Sequence, residues 1–173
     1  MPLVPSLDGG PPLSAPLRFF VTAAMFGTSA GLLLAWAGAD LLQSRWTPAA
    51  LAFTHFITVG FMMQVLLGAL QQLLPVLAGA PLRHPLRVAT VVHTGTTLGG
   101  VCLVGAFLSG YPILFGIATA CMAVGVLFFV ATAVPALRRV HPPNVVARAL
   151  QFGLLGLTVT VSIGLANALT LGW

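Results

Sequence analysis

Two histidines, His55 and His93, fall inside segments that otherwise read as membrane-spanning helices. A polar ring in hydrocarbon is costly, so an intramembrane histidine is a candidate functional residue by default. Imidazole is the commonest metal ligand and a frequent axial ligand of heme iron. The other two histidines, His84 and His141, lie in proline-flanked connections that also carry arginine, and they read as interfacial residues. The chemistry in view is therefore ligation of a cofactor or metal by His55 and His93, weighed against plain helix packing.

The elements that must position these rings follow from composition. Of 173 residues, 58% are hydrophobic and 5% are charged. The mean hydropathy is +1.06. Nine charged side chains cannot cover the surface of a soluble domain this large. The apolar runs are long and continuous rather than alternating, which points to an all-α integral membrane bundle. The sequence pI near 11.3 does not imply nucleic acid, because the basic residues are scattered among apolar runs. Cys102 and Cys121 both fall inside such runs, so a disulfide framework is not expected.

Five transmembrane helices are expected. Residues 1–17, rich in proline and glycine, read as a short flexible tail with no signal-peptide pattern. Residues 18–173 read as a single five-helix domain. The first span runs from about Arg18 to Leu42, and the second from Thr47-Pro48, a helix cap followed by proline, to about Gly79. The third lies between Pro85 and Ser109-Gly110 and the fourth between Pro112 and about Leu137. The turn Pro142-Pro143-Asn144 leads into a fifth span from Val145. Arg18, Arg83, Arg87, Arg138, Arg139 and Arg148 then fall on the side of the N-terminus, and only Arg45 on the other. This asymmetry predicts a cytoplasmic N-terminus and an outer C-terminus in a multi-pass protein of the cell's inner (plasma) membrane. Trp46 and Trp173 then lie at the outer interface.

Helical spacing assigns faces to the two histidines. On the third helix His93 shares its face with Ala89, Thr90, Thr96, Thr97 and Gly100, a small and weakly polar surface with room for a flat ring or another helix. On the second helix His55 shares its face with Leu51, Thr58, Met62, Leu66 and Ala69, an apolar wall. The opposite face carries Gly60, Gln64, Gly68 and Gln71. His55, His93, Met62, Thr97 and Gly100 are therefore the candidate cofactor-binding residues, with both histidines as metal ligands. Small residues at Gly27 and Gly31, at Gly95 and Gly99, and along Gly153, Gly156, Thr160, Gly164 and Asn167 read as close helix contacts. His55 stands about 10 Å from one end of its helix and His93 about 12 Å from the opposite end of the next. In a ~30 Å core the two depths differ by roughly 8 Å, so a shared iron and separate hemes both stay open.

The run Thr54-His55-Phe56-Ile57-Thr58-Val59-Gly60-Phe61-Met62, continuing through Gly68-Ala69-Leu70-Gln71 to Pro75, adds a further signal. It resembles a pattern in small membrane relatives of heme–copper oxidase subunit I: histidine, four residues, glycine and an aromatic, then G-x-x-[YQ] and a proline. The resemblance covers about 25 residues of one helix, with His93-Thr94-Gly95 as weaker support. It implies that His55 is an axial ligand of a low-spin heme b. The fourth and fifth spans carry no histidine, and no glutamate or lysine is present for a proton channel. The resemblance therefore implies heme binding and electron transfer, not oxygen reduction by a complete oxidase.

The leading expectation is a heme b protein of the bilayer, with His93 the candidate second ligand and a quinone or redox protein as electron partner. It would act as a homo-oligomer or as a subunit of a larger complex. Arg83 and Arg87 would suit heme propionates if the heme lay toward their side. A heme-based gas sensor follows if only one histidine binds iron. The other class of reading is a cofactor-free membrane subunit or a small copper-handling or transport protein, using Met25, Met62, Met63, Cys102 and Cys121.

Overall fold

The computed structural model describes residues 10–140 and 144–171. His141, the Pro142-Pro143 part of the expected turn, Trp173 and most of the expected tail lie outside the described residues. The described chain is helical throughout, with five helices long and apolar enough to cross a bilayer. They are α1 (Ser14–Ala37), α2 (Pro48–Ala78), α3 (Pro85–Ser109), α4 (Pro112–Arg138) and α5 (Val145–Leu171). This is the architecture of a multi-pass membrane protein. α1 begins at Ser14, four residues before the expected start, with Ala15 and Pro16 buried. The expected tail thus gives its last turn to the bundle. α1 ends in a short 3₁₀ turn, Gly38–Leu42.

The boundaries follow local chemistry. Thr47 caps α2 by accepting a hydrogen bond from the Ala50 N–H at 3.2 Å, with Pro48 in the first turn. Gly79 ends α2 in the left-handed conformation, and Gly110 does the same for α3.

Contacts between helices fix their directions. Pro16 and Phe19 of α1 lie against Gly68 of α2, and Phe26 lies against Gly60, so these two run antiparallel. Arg18, Thr22 and Phe26 meet Thr90, His93 and Gly100 in the same order, so α1 and α3 run parallel. Gly95 and Gly99 of α3 face Gly125 and Met122 of α4, again antiparallel. A Cβ on Gly95 would stand 2.8 Å from the Cys121 carbonyl oxygen and 3.0 Å from the Gly125 Cα. Only glycine permits that backbone approach. The α3 glycine pair is therefore a packing motif, as its spacing suggests. Of the α1 pair, Gly27 faces the Phe61 ring while Gly31 has nothing within 4 Å. On α5, Gly153, Gly156 and Gly164 face nothing within 4 Å, so these glycines make no close helix contact among the described residues.

Arg18, Arg83, Arg87, Arg138, Arg139 and Arg148 gather at one end of the bundle, with Arg45 at the other. The shared core lies nearer the arginine end. It is built by Phe19, Leu67, Leu74, Val88, Phe129 and Leu137, with Leu154 of α5 reaching in.

Candidate functional site

α2 is not a uniform α-helix. Between Phe56 and Met62 it winds as a π-helix, and the Met63 N–H bonds the Thr58 carbonyl five residues back. Residues just before and within this segment loosen the α-helical ladder. The Thr54 hydroxyl donates to the Ala50 carbonyl at 2.9 Å, and the Thr58 hydroxyl donates to the Thr54 carbonyl at 2.8 Å. His55 Nδ1 lies 2.7 Å from the Leu51 carbonyl oxygen. Side chains thus share the carbonyls of Ala50, Leu51 and Thr54 with the backbone ladder, and such sharing bends or opens a helix. Ile57, Thr58 and Val59 add a β-branched run that crowds the α-helical turn. Short π stretches are rare and often mark functional positions.

The carbonyl contact fixes one nitrogen of the His55 ring. The Leu51 carbonyl can only accept, so Nδ1 is the donor at this contact. No hydrogen bond engages Nε2 among the described residues. A ligating histidine typically has its other ring N–H bonded to a carbonyl or carboxylate, which sets tautomer and orientation. One face of the imidazole is covered by Phe107 of α3, with ring centroids 4.9 Å apart and planes inclined by 29°. Phe115 of α4 braces Phe107 edge-on at 5.1 Å. His55 is half-buried, and Thr58, Met62 and Leu66 on its side of α2 are exposed.

His93 sits differently. Its Nε2 lies 2.7 Å from the Thr22 hydroxyl of α1. Phe19 meets its ring edge-on at 5.1 Å. One turn toward the arginine end, Arg18 donates to the Thr90 hydroxyl at 2.9 Å. The roomy face expected around His93 is filled. Phe26 lies over Gly100, Thr96 is fully buried, and Thr97 accepts a 3.2 Å hydrogen bond from the Gln64 amide. Thr22, Arg18 and Phe26, spaced by four on α1, are the residues the histidine faces alone did not reveal. Their shared face was visible in the sequence, but not which helix it would meet.

The two histidines do not converge. His55 packs on Phe107, which stands fourteen residues beyond His93 on α3, a rise of about 21 Å. The roughly 8 Å expected from a ~30 Å core is too small because α3 alone runs 25 residues, about 37 Å, and overhangs such a core at both ends. One iron cannot take both rings in this arrangement. Met62 is 58% exposed and lies on the outer surface beyond His55, away from Thr97 and Gly100. Arg83 and Arg87 lie at the end opposite His55, whose own end carries Arg45, stacked on the Trp46 ring at 4.9 Å.

A buried polar group on α2 and α3 lies between the levels of the two histidines, with Gln71 further toward the arginine end. The Gln64 amide donates to the Thr96 and Thr97 hydroxyls, each at 3.2 Å. The Gln64 carbonyl oxygen and both polar atoms of the Gln71 side chain are buried with no protein partner among the described residues. The glutamine face of α2 therefore points inward, toward α1 and α3, and the His55 face outward.

A heme needs only one or two protein ligands, and His55 meets the requirement for one: an Nδ1 held by the Leu51 carbonyl and an Nε2 with no hydrogen bond among the described residues. His93 meets it less well, since its Nε2 is engaged and its surroundings are packed. No three His, Cys, Asp or Glu side chains come together among the described residues, which is the grouping a multi-ligand copper centre would use. Comparison with protein-family models, curated proteins and solved structures finds no match for this chain.

Proposed function

We propose that this chain binds heme b in a membrane through His55 and serves electron transfer, as a homo-oligomer or a subunit of a larger complex. The observation that supports this reading is the His55 Nδ1–H bond to the Leu51 carbonyl, which leaves Nε2 as the ligand atom. Leu51 holds Nδ1, and Phe107 holds the plane of the ring. Heme b, when bound there, would supply a one-electron couple, tuned by the ligand and the dryness of its surroundings. The exposed Thr58, Met62 and Leu66 flank His55 on the outward face, where a second copy or a partner subunit would cover the site and would supply any further ligand. With the arginine end in the cytoplasm, as the positive-inside tendency favours, His55 lies in the outer half of the inner membrane. A quinone or a redox protein reaching that half is the electron partner. The π segment within the run that resembles oxidase subunit I adds support for a specialised role of His55.

The test is a pyridine hemochrome assay on detergent-purified protein reconstituted with hemin. The proposal expects about one heme b per chain or per pair of chains, lost in His55→Ala. Protein that takes up no hemin, or takes up as much with His55→Ala, overturns it.

One observation favours a second reading, a cofactor-free membrane subunit. His93 is fully accommodated by Thr22 and Phe19, as a structural histidine is. The same assay separates the two readings, since a cofactor-free subunit takes up no hemin.

A further inference from the structure

The outward face of α2 leaves one polar side-chain atom open, and it belongs to His55. Thr54 and Thr58 beside it are exposed, but each hydroxyl donates to a carbonyl of its own helix. His55 Nε2 has no hydrogen-bond partner among the described residues. The buried side-chain atoms left without a partner there belong to Gln64 and Gln71, so Nε2 is not buried and reaches the surface of the bundle. The exposed Met62 and Leu66 make the rest of this face apolar. A ring nitrogen that meets lipid with no partner is costly. The face therefore suits a covering that binds this nitrogen as well as the apolar surface around it.

A six-coordinate heme takes two axial ligands, one on each face of the ring. The imidazoles and thioethers of the described chain do not stand beside His55 to give the second. His93 is about 21 Å away along α3. His84 lies at the arginine end. Met62 is roughly 10 Å further along α2, and Met25 adjoins Phe26, which packs on Gly60. Met63 and Met122 are buried. A second copy meets the need by symmetry. Copies inserted in one orientation pair about a two-fold axis along the membrane normal, so each residue faces its own equivalent at the same depth. Two His55 faces then offer two imidazoles at one depth from opposite sides. We propose that one heme is shared by two copies of this chain, with His55 of each copy as its two axial ligands. This rests on the heme reading above. Each copy holds its own ring, through the Leu51 carbonyl at Nδ1 and through Phe107, which Phe115 braces.

The test is the composition of the heme-bearing species. The full chain, purified in detergent and loaded with hemin, is measured by pyridine hemochrome assay, by native mass spectrometry and by electron paramagnetic resonance of the ferric form. The expected result is about half a heme per chain, a heme-bearing species of two chains and one heme, and the low-spin signal of two axial imidazoles. All three should be lost in His55→Ala. One heme on a single chain, or two hemes on a pair of chains, lost in His55→Ala, would overturn the sharing and leave the heme reading standing. A high-spin ferric signal, as a single imidazole gives, would do the same. Hemin uptake that is absent in the wild type, or unchanged in His55→Ala, would overturn both. Should His55→Ala fail to fold, as judged by helical circular dichroism, the mass and the ferric signal of the wild type decide the sharing alone.

Discussion

The His55 and Phe107 rings lie 4.9 Å apart and are inclined by 29°, joining the start of α2 to the end of α3. This stack holds the imidazole plane from one side, while the Leu51 carbonyl holds Nδ1 from below. Phe107→Leu should keep most of the apolar area and lose the ring contact. The expected cost is about 0.5–1.5 kcal/mol, read as a lower midpoint in thermal unfolding in detergent. If His55 binds heme, the same variant should also weaken hemin uptake, because the ligand ring loses its orientation. Unchanged uptake with lowered stability would assign the stack to folding alone.

Thr22→Val tests the role of His93 without touching its ring. The substitution preserves shape and removes the hydroxyl 2.7 Å from Nε2. The expected cost is about 0.5–1.5 kcal/mol, toward the low end inside a membrane, where such bonds average about 0.6 kcal/mol. Heme content should stay as in the wild type. A loss of heme in Thr22→Val would place His93 in the cofactor site after all.

Gly95→Ala should destabilise the α3–α4 contact by about 1–3 kcal/mol, because the new methyl meets backbone atoms of Cys121 and Gly125 that cannot rotate away. Gly156→Ala in α5 meets nothing within 4 Å and should be neutral, or stabilising by up to about 1 kcal/mol through helix propensity. Thermal unfolding of the two variants side by side checks the pair. A large loss in Gly156→Ala would instead show that the α5 stripe packs against another chain.

Gln71→Leu should raise stability by about 1–3 kcal/mol, since the amide is 1% exposed and neither of its polar atoms has a protein partner among the described residues. Gln64→Leu should not behave the same way, because it breaks bonds to Thr96 and Thr97. A stability loss in Gln71→Leu would mean that this amide is satisfied by a bound molecule.

The five spans were legible because hydropathy and helix punctuation are local properties. Thr47-Pro48, Pro85, Ser109-Gly110 and Pro112 stand where helices begin or end in the structure. The two opposite faces of α2, one with His55 and one with Gln64 and Gln71, were legible from spacing alone, but spacing did not show that only the glutamine face turns inward. The π segment after His55 was not, because apolar periodicity does not record which carbonyl each N–H reaches. The surroundings of His93 were not legible either. Gly100 and Thr97 look like open space on an isolated helix, and only tertiary packing brings Phe26 and Gln64 to fill it. The separation of the two histidines was underestimated because helix length, not bilayer thickness, sets their spacing along the bundle.

The proposed heme ligand is His55 and not His93. The most direct measurement is the reduced-minus-oxidised absorption spectrum of hemin-reconstituted wild type, His55→Ala and His93→Ala. Soret and α bands of heme b are expected in the wild type and in His93→Ala, with their loss in His55→Ala. A colourless wild type, or bands that vanish with His93→Ala and persist with His55→Ala, would contradict it.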